Sequence, residues 1–228
     1  ATLLDDLISS GKMAIRDQFM ISRLMKGSED VDQNFTAYKF GDAQRTAYQL
    51  WLNDMCNVYL ELIKPIVQSK DEENKDARWA AQATLWVALE TQLRGLHPMM
   101  PYITEELWQR LPGRGTLGET EKQSIMLAEY PVIVDAYKND NCEESMSLTM
   151  EIITACRSLR SSYNIKPKDL THFFVKMTDE GQAAQALSQV DDILTLGSGS
   201  QVDINPSDAD IPETVGTMVV NDSLTVLV

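Results

Sequence analysis

Apolar positions along the first two-thirds of the chain recur every three or four residues, which predicts amphipathic helices packed as a bundle. Met20, Leu24, Val31, Phe35 and Tyr38 follow this spacing with polar residues between them, until Gly41 breaks it. A second stripe of Ala47, Trp51, Met55, Val58 and Leu62 predicts a helix over residues 43 to about 63. Pro65 lies at its end, where the missing N–H and the ring stop or kink a helix. The charged run at 70–76 reads as a solvated connection or a helix start. The clearest stripe is Trp79, Ala83, Trp86, Leu89, Leu93 and Leu96. It ends at His97-Pro98, because the residue before a proline is pushed out of helical backbone. A short helix is expected at 104–111, with Thr104 as its N-cap and Glu105 and Glu106 in the first turn. Residues 112–131 read as a loop around the apolar Ser124-Ile125-Met126-Leu127. A long helix from 134 or 143 to 163 carries two apolar stripes, so it is expected to be buried between neighbours.

After Pro167 the period shortens. Residues 173–177, 201–205 and 217–220 predict strands, 179 to about 196 a helix, and Asn221-Asp222 a tight hairpin into 224–228. The expected fold is therefore mainly α. A helical bundle spans 1–165, and a small α/β unit of β-α-β-β order spans 166–228.

Composition narrows the possibilities. Hydrophobic residues make up 43% of the 228 and charged residues 24%, which is globular and not disordered. The 34 acids against 20 bases give a net charge of −14 and argue against a generic binder of nucleic acid or anionic membrane. The charge is uneven. Nine of the acids and none of the bases follow Lys176, so residues 1–176 carry only −5. Between Arg157 and Lys176 the sign reverses to +4. No apolar run approaches ~18 residues, so no segment is predicted to cross a membrane. Three scattered cysteines fit neither a disulfide framework nor a zinc pattern and point to reduced thiols in a cytoplasmic setting. A chain that opens on Ala1 in mid-pattern and closes on apolar 224–228 reads as part of a longer polypeptide.

Catalytic signatures are missing. The sequence has no phosphate loop, no G-x-G-x-x-G after a strand, no H-E-x-x-H and no G-x-S-x-G. His97 and His172 stand apart from any ligand cluster and read as capping or packing residues. The pairs Glu105-Glu106, Glu143-Glu144 and Asp191-Asp192 are adjacent, so on a helix they diverge and make poor metal or acid–base sites. Neither catalytic nor metal-ligating residues are expected. Binding chemistry is better represented. Arg157 and Arg160 are three apart and share a helix face beside Tyr163 and Asn164, a set suited to phosphate and a splayed base. The alternative is that both arginines pair with acids of a neighbouring helix. Phe40, with Lys39 before it and Arg45 a turn later, is placed to stack on an unpaired base, or else to staple the helix entry.

These segments together resemble a known family. Phe40-Gly41-Asp42-Ala43, followed by Trp51-Leu52 and then Cys56-Asn57-Val58-Tyr59-Leu60-Glu61 and Lys64-Pro65, is similar to the helical anticodon-binding domain of the valyl-tRNA synthetases. His97-Pro98 with Thr104-Glu105-Glu106-Leu107-Trp108 is shared by the class I synthetases for valine, isoleucine and leucine. Arg157-Ser158-Leu159-Arg160 with Tyr163-Asn164-Ile165 resembles the valine enzymes specifically, and Ser22-Arg23-Leu24 fits the helix that opens the domain. The likeness spans about 17–170. Residues 1–16 depart from the family's preceding helix, and Phe19 stands where the family often has Trp.

The resemblance implies a domain that grips the anticodon stem-loop of tRNA(Val), within an enzyme that charges this tRNA with valine using ATP and Mg²⁺. The catalytic domain of the same polypeptide is then its protein partner. No membrane partner and no cofactor are expected for this chain. Arg23, Lys39, Phe40 and Arg45 are the expected residues on the anticodon side, and Arg157, Arg160, Asn164 and Lys166 on the stem. The equivalent isoleucyl or leucyl domain, and a helical interaction module without an RNA role, are the alternatives. The family's HIGH and KMSKS motifs occur nowhere in the chain. It should therefore be inactive by itself in valine-dependent ATP–pyrophosphate exchange, and measurable exchange would refute that.

Overall fold

A computed structural model describes residues 3–114, 122–166, 168–212 and 215–228. Gly115 of the expected loop and Pro167 lie outside them. The chain forms two compact units, 1–140 and 141–228.

The first unit is helical: α1 (Leu3–Ser9), α2 (Ile15–Thr36), α3 (Phe40–Gln49), a π-helical stretch (Leu50–Tyr59), α4 (Leu60–Gln68), α5 (Lys75–Leu96) and α6 (Pro101–Gln109). Short 3₁₀ turns follow at Ile125–Leu127 and Asp135–Tyr137. The helix expected at 43–63 thus runs unbroken from Phe40 to Gln68, through and beyond Pro65. Its middle is wound wider than α, and the N–H of Leu60 donates five residues back to the carbonyl of Met55. That widening displaces the core face. Leu50, Met55 and Tyr59 are buried, at spacings of five and four, while Trp51 and Val58 of the predicted stripe are only half-buried.

The central helix α5 also departs from its stripe. It contacts α1, α2, α3, α4 and α6. Its buried positions are largely small, including Ala80, Ala81, Ala83, Thr84 and Ala88, while Trp79 is exposed and Trp86 half-buried. Small side chains let several helices approach one axis closely, and the bulky residues fill the flanks. Helix α6 starts at Pro101, the first-turn position its fixed φ favours. Thr104 lies inside it, so it is not the N-cap; its hydroxyl donates to Met100 O (2.8 Å) and faces Nδ1 of His97 (2.7 Å).

One buried polar contact ties the core together. Asp17, in the first turn of α2, is 2% exposed and accepts from the hydroxyl of fully buried Tyr59 (2.7 Å) and from the N–H of Ala14 (2.9 Å). Burial raises the Asp17 carboxyl above its ordinary range, against the lowering effect of the Tyr59 and Ala14 hydrogen bonds.

The second unit opens with α7 (Asp140–Ser162), whose first residue closes the bundle unit. Then come β1 (Thr171–Met177), α8 (Glu180–Ser188), α9 (Val190–Gly197), β2 (Gly199–Ile204), β3 (Thr217–Asn221) and β4 (Leu224–Leu227). The sheet order is β2-β1-β4-β3. β1 and β2 are parallel, and β4 pairs antiparallel with β1 and β3. The mainly α class and the expected strands and hairpin are present. The helix expected at 179–196 is two helices, broken at Gln189, which is 3% exposed and donates to Ser145 Oγ on α7 (2.7 Å). The division falls at 140/141, whereas the sequence suggested 165/166, because α7 is bound into the sheet unit. Arg157 and Arg160 hydrogen-bond to residues around β1 and α9, and Gly197 packs against Cys156. Among the described residues no helix is long and apolar enough to cross a membrane. The three cysteines are free, and burial pushes the Cys156 thiol up to about 12, which makes it unreactive.

Candidate nucleic-acid interface

Helix α2 ends in a Schellman motif. The N–H of Lys39 donates to Asn34 O (2.8 Å) and that of Tyr38 to Phe35 O (3.0 Å), with Tyr38 left-handed at φ 59°. This reversal starts α3 at once and throws its first side chains to the surface. Phe40 is 56% exposed, held edge-on by Phe35 at 5.8 Å. Lys39 before it and Arg45 in the next turn are both exposed, and Arg45 pairs with Asp42 at 3.1 Å. An ion pair this exposed is worth little, so the guanidinium exchanges partners readily.

Phe40 forms one end of a groove of about 580 Å³. Tyr48 and Trp51 line one wall, Met100, Ile103 and Leu107 the other, and Gln44 and Thr104 supply polar groups. Tyr48 is 62% exposed and Ile103 50%, an apolar surface with nothing from this unit upon it. Aromatic and aliphatic walls carrying few polar groups suit a flat, uncharged ring system. The α6 wall is not marked in the sequence, because Ile103 and Leu107 differ from buried Thr104 and Trp108 only in which side of the helix the bundle covers.

Arg23 stands apart from this corner. Thirteen residues of helix separate it from Thr36, about 20 Å at 1.5 Å per residue. Its Nε donates to Asp54 Oδ2 at 3.0 Å, tying α2 to the π stretch.

The other four expected residues lie in the second unit, in two different roles. Arg160 is 7% exposed, and its guanidinium donates to the carbonyls of Lys166 (2.8 Å), Asp169 (2.8 Å) and Ser198 (3.0 Å) and to the Thr171 hydroxyl. It is a buried fastener of the turn between α7 and β1, with both terminal nitrogens engaged. Neither expected reading, phosphate contact or pairing with helix acids, describes it. Asn164 is the left-handed residue (φ 52°) of a second Schellman motif, in which Ile165 N–H donates to Arg160 O (2.9 Å) and Asn164 N–H to Ser161 O (3.1 Å). Tyr163 packs one ring face on Gly216, where any Cβ would overlap the ring. Arg157 is exposed, with Nε anchored on Leu196 O (2.8 Å), and the Lys166 side chain is exposed. The i, i+3 spacing of the arginines is thus real, but α7 turns one to solvent and one inward.

Among the described residues no three His, Cys, Asp or Glu side chains gather to hold a metal. His172 pairs with Asp203 (2.7 Å) and stacks on Phe174, a contact across β1 and β2.

The family model described as the anticodon-binding domain of tRNA ligase matches residues 17–175. Mitochondrial valine–tRNA ligase 1 of Arabidopsis thaliana is 37% identical over 163 residues, covering 71% of this chain and 14% of that protein. Valine–tRNA ligase of Caenorhabditis elegans is 34% identical over 169 residues, 73% of this chain and 16% of its own length. The Rattus norvegicus enzyme is 32% identical over 213 residues, 93% and 16%. The chain therefore spans about a sixth of the length of these relatives.

Proposed function

Because the chain belongs to the anticodon-binding domain family of tRNA ligases, we propose that the α2–α3 corner and its groove receive the unpaired bases of the anticodon loop of tRNA(Val). The observation that carries this reading is the exposed Phe40 of the groove lining, with exposed Lys39 before it and exposed Arg45 in the next turn of α3. Stacking on an aromatic face accepts any base, the groove's polar groups Gln44 and Thr104 discriminate among bases, and the two cations offset phosphate charge. Arg157 and Lys166 are the stem contacts we retain, with Asn164 setting the chain direction between them. Arg160 supports that turn from inside, and Arg23 acts on the bundle through Asp54. Valine as the amino acid rests on the printed names of the relatives, which favour it over isoleucine or leucine. In the whole protein, ATP and Mg²⁺ would act in the catalytic part of a cytoplasmic ligase, and this chain would select the tRNA.

Binding of the tRNA(Val) anticodon stem-loop, followed by fluorescence anisotropy, tests the reading. Phe40→Ala should weaken binding about tenfold. Lys39→Ala with Arg45→Ala should lower the slope of log K against log salt by roughly 1.5. Binding that ignores both changes, or that is equal for a stem-loop with a scrambled anticodon, would sink it.

A further inference from the structure

Four non-glycine residues among those described have positive φ: Tyr38, Asn164, Ser198 and Asn205. The last three are small polar residues, and asparagine in particular adopts the left-handed region readily. Tyr38 is the exception, a bulky aromatic at a helix C-terminal position that glycine or asparagine normally fills. The chain itself shows the usual solution, since Asn164 occupies the same position after α7. Packing does not account for the tyrosine. Tyr38 is 82% exposed, and its ring meets that of Phe40 edge-on at 6.2 Å and 87°. An unfavourable backbone conformation is thus kept for a side chain that buries almost nothing, next to Phe40 of the groove lining.

We propose that Tyr38 is a second nucleobase-stacking residue. It takes one unpaired base of the anticodon loop, next to the base carried by Phe40. The inference rests on the anticodon reading of this corner and extends that interface by one nucleotide. Geometry fixes which kind of nucleotide. Because the two rings are nearly perpendicular, a base lying flat on Tyr38 stands at a right angle to a base lying flat on Phe40. The two bases are not stacked on each other. Tyr38 therefore holds a base where the RNA backbone bends away from the stack on Phe40, and the left-handed backbone sets the ring at that angle. Lys39 lies between the two aromatics in sequence, with an exposed side chain to meet the phosphate of the bent linkage.

The test uses the whole chain and the tRNA(Val) anticodon stem-loop, with Kd and Tm measured for Tyr38→Gly, Tyr38→Phe and Phe40→Ala. Tyr38→Gly should weaken binding about tenfold through the lost stacking face, while Tm holds or rises by up to about 3 °C as the backbone relaxes. Tyr38→Phe keeps the ring and should bind within about twofold of the parent. A binding-site substitution that weakens affinity without lowering stability is what a merely structural tyrosine would not give. If Tyr38→Gly binds like the parent while Phe40→Ala is weakened, this inference fails and the interface stands. If Tyr38→Gly lowers Tm and affinity together, Tyr38 is a packing residue and the inference also fails. If Phe40→Ala binds like the parent, or the parent does not bind, the anticodon reading fails and takes the inference with it.

Discussion

Replacing Tyr59 by Phe should destabilise the helical unit by about 2–3 kcal/mol at neutral pH, the range for removing a hydrogen bond to a buried charged group. The hydroxyl lies 2.7 Å from Asp17 Oδ1, and both residues are essentially sealed from water. Without it, the carboxylate keeps the Ala14 N–H while its other oxygen loses its donor. The pH dependence separates this cause from a packing defect. Burial already raises the folded-state pKa of Asp17, so the folded form holds its proton to higher pH than the unfolded form. The native carboxyl thus costs stability as pH rises through the window from the unfolded to the folded pKa. Removing the Tyr59 bond, which lowers that pKa, raises it further. The deficit of the variant should then be largest above both folded pKa values. It should shrink as the pH falls and Asp17 is protonated in both proteins. Urea titrations read by tryptophan fluorescence over a range of pH would show this, because Trp51, Trp79, Trp86 and Trp108 all lie in this unit. A deficit of constant size across the range would assign the loss to packing.

Arg160→Ala should be still more damaging, at about 3–5 kcal/mol, and confined to the second unit. Three carbonyls and the Thr171 hydroxyl lose their donor together. The site pairs the cation with no carboxylate in these contacts. Arg160 lies in the last turn of α7 and donates to the carbonyl of Ser198, the C-cap of α9, and helix C-termini favour positive charge. Lysine should recover little, since three donors on a flexible stem cannot reproduce a planar fork. Hydrogen exchange at the β1 and β2 amides should lose protection while the tryptophan transition of the first unit stays in place; retained protection would refute the role. Arg157→Ala should leave that protection nearly intact. The two arginines therefore need separate substitution, because a double variant would lose RNA binding by unfolding whatever their contact with phosphate.

Sequence alone locates α2, α5, α7 and the C-terminal hairpin well, because their apolar periods are long and their stops are marked by Gly41, His97-Pro98 and Asn221-Asp222. It misplaces the face of residues 50–59, since a period of 3.6 was applied where the backbone is wound wider. It assigns Arg157 and Arg160 one fate because i, i+3 spacing reports angle about the helix axis and not what lies outside it. Buried arginines held by carbonyls are hard to foresee, as the acceptors are backbone atoms that every residue possesses. The exposed corner proposed here for RNA contact is marked in the sequence by Phe40 with Lys39 and Arg45. The opposite wall is not, since Met100, Ile103 and Leu107 look like core residues until neighbouring helices are in place. The apolar period places Tyr38 as the last rung of a buried stripe, but it is among the most exposed aromatics of the described residues.

The π stretch bears on how an interface and a core share one helix. Trp51 lines the groove, while Met55 and Tyr59 lie in the bundle interior, all on the same ten residues. Each hydrogen-bonded ring there encloses one residue more than an α ring. The number of wide rings therefore sets the angular phase between the groove wall and the surface that meets α2 and α5. Through that widening, one continuous helix carries both the groove wall at Trp51 and the Asp17–Tyr59 clasp.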